Sequence, residues 1–111
     1  MARYQKQIIL PKYAENVQTT QYTPVNVRTD IVQFTATNTT ATAQTLSVHL
    51  VPVAGVADAS NKIIDSMPIG ARQTVPLVAM YNQLVESGMS ISTLASAASS
   101  IVISASGDEI S

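Results

Sequence analysis

The sequence predicts a mainly β protein, an antiparallel β-sandwich or jelly-roll with one short helix and an extended N-terminal arm. Three observations carry this. First, residues 31–52 alternate apolar and polar side chains on both sides of a polar turn, the period-two signature of half-buried strands. Second, comparable segments recur at roughly ten-residue spacing between Gly, Asn and Ser turns, as in all-β domains. Third, Trp and Cys are absent and Phe34 is the one phenylalanine, so the core is built from Val, Ile, Leu, Met and Ala, a mix that favours strands.

Residues 1–28 lack a sustained period yet carry Tyr4, Tyr13 and Tyr22, three of the four tyrosines. They are also basic, with Arg3, Lys6, Lys12 and Arg28 against Glu15 alone, whereas Asp30, Asp58, Asp65, Glu86, Asp108 and Glu109 outnumber Lys62 and Arg72 in the remainder. Tyrosine is an amphipathic anchor enriched at interfaces. The expected organisation is therefore an arm over 1–28 that reaches a neighbouring subunit through Arg3, Tyr4, Lys6, Lys12, Tyr13, Tyr22 and Arg28, followed by a sandwich domain over 29–111. Within the arm, 17–22 and 25–27 read as short edge strands.

The central stretch reads as a hairpin. Val32, Phe34 and Ala36 share one face and Gln33, Thr35 and Thr37 the other. After the turn from Asn38 to Gln44, Leu46, Val48 and Leu50 point one way and Thr45, Ser47 and His49 the other. Pro52 ends the pairing because it has no N–H to give. The expected core is thus Phe34, Leu46, Val48, Leu50 and, from the last strand, Ile103, with His49 facing solvent.

A loop of small residues over 53–61 leads to a strand over 62–69 whose impure alternation, with Ile64 opposite Ile63, Asp65 and Met67, predicts a bulge or a second apolar face. Gly70 to Gln73 turn the chain. Leu77, Met80, Tyr81 and Leu84 then recur at spacings of three, one and three after Pro76, with Gly88 beyond them, which predicts a short helix. Alternation returns at Met89, Ile91 and Thr93 and at Ile101, Ile103 and Ala105. Gly107 permits a bend, and Ile110 closes the last strand on the core while Asp108 and Glu109 face water. The run Ile101-Val102-Ile103 is apolar on both faces, which predicts that subunits cover it for one another.

A chain of 111 residues suits one domain. Without cysteine there is no disulfide, thiolate chemistry or Cys-based metal site, a composition suited to a reducing cytosol. The apolar patch Ile8-Ile9-Leu10 is too short for a signal peptide or a membrane span. Asn38-Thr39-Thr40 matches a glycosylation acceptor but reads as turn chemistry. His49 has no catalytic neighbour in sequence, Asp108 and Glu109 point to opposite faces of a strand, and Asp58, Ser60, Asn61 and Asp65 lack the spacing of a calcium loop. No Gly-rich phosphate cradle, nucleophile elbow or aromatic stacking platform appears. The reading is of a protein that is not an enzyme and takes no cofactor, metal, nucleic acid, membrane or small-molecule substrate.

The segments Thr37-Asn38-Thr39-Thr40, Thr45-Leu46-Ser47-Val48-His49-Leu50-Val51-Pro52, Ser60-Asn61-Lys62-Ile63-Ile64, Leu84-Val85-Glu86-Ser87-Gly88 and Ala95-Ser96-Ala97-Ala98 before the final strand resemble a group of small tailed-phage virion β-sandwich proteins, over residues 31–111. Such proteins serve as capsid decoration or cement, as neck or collar components and as tail or fibre accessories, commonly as trimers. The resemblance implies a virion protein made in the host cytoplasm, a homotrimer that cements the capsid by binding the major capsid protein or another virion protein. A neck, collar or tail accessory is the alternative it leaves open, and a carbohydrate-binding module is the alternative from the fold class.

Overall fold

A computed structural model describes residues 3–111. Nine strands form two antiparallel sheets: β1 (Arg3–Tyr13), β2 (Thr19–Tyr22), β3 (Arg28–Asn38), β4 (Gln44–Val51), β5 (Lys62–Ile69), β6 (Thr74–Pro76), β7 (Leu84–Val85), β8 (Ser90–Ala95) and β9 (Ile101–Ile110). One sheet runs β1-β9-β3-β6, with β7 also on β3, and the other runs β2-β8-β4-β5. Both sheets contribute to one buried cluster, with Phe34, Ile31, Ile101 and Ile103 from the first and Leu46, Val48, Ile69 and Ile91 from the second.

The N-terminal stretch is not an arm lying apart from the body. Residues 3–13 pair with β9 along their length, and residues 19–22 form the edge of the second sheet on β8. Two register shifts, between Gln7 and Ile9 and between Ile9 and Lys12, explain why no period was visible. They place the adjacent Ile8 and Ile9 both in the core and leave Leu10 outside. A bulge sets two residues of one strand against one of its partner and so interrupts alternation. Residues 25–27 form a bend rather than a strand, with Asn26 in the left-handed region at φ 60.

The central hairpin is also corrected. β3 and β4 lie in different sheets and do not pair: β3 pairs with β9, β6 and β7, and β4 with β5 and β8. Two strands with one apolar face each can bury them side by side or across a core, and alternation alone does not distinguish these. Here the chain crosses between sheets at 39–43; it also crosses at 23–27 and 86–89, and at 14–18, 70–73 and 96–100. These corners are bonded together, Ala14 N–H to Ile101 C=O at 2.8 Å, Thr39 N–H to Ser100 C=O at 2.8 Å and Arg72 N–H to Thr40 C=O at 3.2 Å.

Asn38, wholly buried, ties these corners. Its Nδ2 donates to the carbonyls of Thr42 (2.8 Å) and Ile69 (3.0 Å), and its Oδ1 accepts from Thr40 N–H (2.9 Å) and Thr40 Oγ1 (2.7 Å). Every hydrogen-bonding atom of the amide is engaged in turn chemistry. Replacing a buried polar group while its partners remain leaves them unsatisfied. Asn38→Ala is expected to lower stability by about 3 kcal/mol in chemical denaturation, whereas the neighbouring Thr39→Ala should cost far less.

Alternation predicts the faces well elsewhere. Ile91, Thr93 and Ala95 on β8, and Ile101, Ile103 and Ala105 on β9, are buried. The impure strand 62–69 carries the predicted irregularity. Register shifts on β5 leave Ile64 and Ile69 inward, and Ser66, at φ 48, donates its N–H to Ser47 Oγ at 2.9 Å.

The expected helix is a single 3-10 turn, Val78–Met80. Leu77 and Met80 are buried at its two ends, but the chain re-enters a strand at Leu84, which is exposed. Gly88, at φ 87, serves a turn closed by Met89 N–H to Glu86 C=O at 2.9 Å. Gly107 makes no bend. It sits mid-strand opposite Ile31, where a Cβ would come within 2.5 Å of the Asp30 carbonyl oxygen. Ile110 is buried but stands outside the main core cluster.

Candidate interaction surface at the N-terminal strand

β1 is the edge of its sheet, pairing with β9 on one side alone among the described residues. This pairing brings the basic beginning of the chain onto its acidic end. Arg3 contacts Asp108 Oδ2 at 2.9 Å and Asp30 Oδ2 at 3.4 Å, Lys6 contacts Glu109 at 3.2 Å, and Lys12 contacts Glu15 at 3.1 Å. The charge asymmetry read along the sequence is thus largely neutralised within the molecule. Of the four expected basic contact residues, Arg28 stands exposed beside Asn26, Glu86 and Ile110. Each of these pairs is partly exposed and adds little stability alone.

Asp30 and Asp108 face each other directly across β3 and β9, and Arg3 bridges their outer oxygens. Their Oδ1 atoms are buried with no hydrogen-bond partner in the protein. Like charges directly opposite on neighbouring strands repel, so the guanidinium holds this corner together. Glu15 is held below the usual carboxylate range, first by the amide of Gln21 and then by Lys12.

The three N-terminal tyrosines divide. Tyr22 packs against the core, its hydroxyl 2.6 Å from Thr29 Oγ1 and donating to Glu109 Oε2 at 2.9 Å, and burial pushes its phenol up. It is a structural residue. Tyr4 and Tyr13 are 62% and 47% exposed. Leu10, 70% exposed, joins them on the same strand, and Val17 and Val25 follow. The sequence reading missed Leu10, although three consecutive apolar residues cannot all turn inward from one strand. Of the expected core residues, Phe34, Leu46, Val48 and Ile103 are fully buried, and Leu50 is half-buried against the same cluster. Val102 is half-buried on the opposite side of β9, between Tyr13 and Thr37.

His49 does not face solvent. It is 3% exposed, and Ser47 and Ser92 on the same sheet face are buried with it. Burial lowers its pKa, with Lys62 acting in the same direction and Asp58 and Asp65 opposing. The alternation placed it correctly opposite Val48, but a polar face can be covered from outside by segments that alternation does not reveal.

Among the described residues no group of three or more His, Cys, Asp or Glu stands where it could hold a metal ion, and no helix is long and apolar enough to cross a membrane. No family model matches the chain, and no curated protein or solved structure matches it.

Proposed function

We propose that the chain is a non-enzymatic structural protein of a tailed-phage virion, a homotrimeric β-sandwich that decorates or cements the capsid through its N-terminal edge strand. The observation that carries this reading is the exposure of Tyr4, Leu10 and Tyr13 on a strand whose outer backbone edge has no partner among the described residues. Aromatic and aliphatic side chains beside free N–H and C=O groups make a surface suited to protein contact. The resemblance of residues 31–111 to phage virion proteins supplies the setting. Attachment here belongs to a sheet edge, not to a detached arm. A neck, collar or tail accessory would use the same surface.

The combined Tyr4→Ser, Leu10→Ser, Tyr13→Ser variant tests it. All three side chains are exposed, so the variant should melt as the parent does. Its binding to phage particles that lack the protein should fall at least about tenfold, as for loss of central interface side chains. Light scattering should give a mass of three chains for the parent. Unchanged binding would place attachment elsewhere. A second reading, a carbohydrate-binding module, draws on the two exposed tyrosine rings, and it gains if the variant decorates particles normally but loses retention on glycan surfaces.

A further inference from the structure

The neighbourhood of His49 has a directional hydrogen-bond chain. Ser92 Oγ donates its one proton to the Thr19 carbonyl at 3.1 Å, so it must accept from Gln18 Nε2 at 2.8 Å. The same Gln18 Nε2 lies 3.4 Å from His49 Nδ1. An amide N–H₂ facing Nδ1 is satisfied only when Nδ1 accepts, which requires the neutral ring. Rotating the Gln18 amide to offer its oxygen to the ring would break the bond to Ser92. This chain pins Gln18 and Thr19, the first residue of β2, onto the face of the second sheet. β2 is four residues long and forms that sheet's edge.

We infer that His49 is an acid-sensitive clasp, holding the β2 edge strand on its sheet when neutral and releasing it when protonated. Protonation makes both ring nitrogens donors, so Nδ1–H then opposes the Gln18 amide. It also sets a charge on a ring that is almost wholly buried.

The charged groups around the ring are Lys62 and Asp65 from β5 and Asp58 from the preceding loop. Both carboxyls are held below the usual range, Asp58 by hydrogen bonds from Ser60 and Asp65 by Lys62, so they stay ionised through the titration of the ring. Folding disfavours the imidazolium, so the unfolded chain binds the proton more readily. The clasp is therefore fully in place above the ordinary imidazole range, roughly pH 6.5, and is lost as the pH falls below it. His49 is the single histidine in the chain, so the response belongs to one residue.

Amide hydrogen exchange, corrected for the intrinsic pH dependence of the chemistry, tests this together with an NMR titration of the imidazole. Protection at Thr19 to Tyr22 should fall on the order of fivefold between about pH 7.5 and pH 5, the population change expected when one ordinary hydrogen bond is lost. Amides of β3 and β9 should keep theirs. His49→Gln should remove the step. Gln18→Ala, at an exposed position, should show low β2 protection at both pH values and no step. An imidazole titrating at or above its ordinary value, a step that persists in either variant, or an equal loss in both sheets would overturn the clasp.

Discussion

Deletion of residues 3–13 is expected to abolish folding. The segment supplies eight paired positions along β9, from Arg3 opposite Ile110 to Tyr13 opposite Val102. It also buries Ile8 and Ile9 in the core. Full burial of one such side chain contributes about 1.5–3 kcal/mol, and a domain of this size has a net stability of only about 5–15 kcal/mol. The ladder and the ion pairs of Arg3 and Lys6 go with them. The deletion would also turn β9, with Ile101, Ile103 and Ala105 buried, into a bare edge that invites pairing between chains. Circular dichroism should show no cooperative melt, and the product should aggregate. A truncated chain that melts like the parent would mean that β1 is an appendage after all, and that folding and attachment are separable.

The face each residue takes was legible where alternation is clean. Phe34, Leu46, Val48 and Ile103 were assigned to the core and are buried, Leu50 is half-buried, and Val32, placed on the face of Phe34, is exposed. Neighbours were not legible. Period two says which side of a strand is apolar, but not whether the next strand lies beside it or across the core, and so β3 and β4 read as a hairpin. Bulges hid β1, because the pair Ile8 and Ile9 has no place in a strict alternation. The helical spacing of Leu77, Met80, Tyr81 and Leu84 was an accident of a 3-10 turn followed by a strand.

The candidate surface was half legible. The separation of basic and tyrosine-rich residues from an acidic body was real in sequence, but its meaning depended on topology. The first strand pairs with the last, so Arg3 and Lys6 meet Asp108 and Glu109 and are spent inside the molecule. Tyr4, Leu10 and Tyr13 of that strand are left exposed. His49 was misplaced for a similar reason, because Gln18, which reaches its ring, is remote from its own strand's pattern.

Val32 and Phe34 stand two residues apart and share one face of an ideal strand, yet the structure separates them and predicts very different costs of truncation. On β3 the register passes from Ile31 opposite Gly107 to Gln33 opposite Ser106, so two steps on one strand match one on the other. Val32 is the extra residue and is 39% exposed, while Ile31 before it and Phe34 after it are fully buried. Gly107 fits this spot because the bulged chain brings the Asp30 carbonyl where a side chain would stand. Phe34 packs at the centre of the cluster, and its own carbonyl accepts from Leu77 N–H at 2.8 Å, which docks the 3-10 turn against β3. Phe34→Ala removes the largest buried side chain and leaves a cavity walled by two sheets that cannot both collapse, so it should cost about 3–5 kcal/mol. Val32→Ala should stay within about 0.5 kcal/mol, as for a surface site. Urea titrations read at equal m-values would decide it. If Val32→Ala proved as damaging as Phe34→Ala, β3 would be a regular strand without the bulge, and Ile31 would have to leave the core.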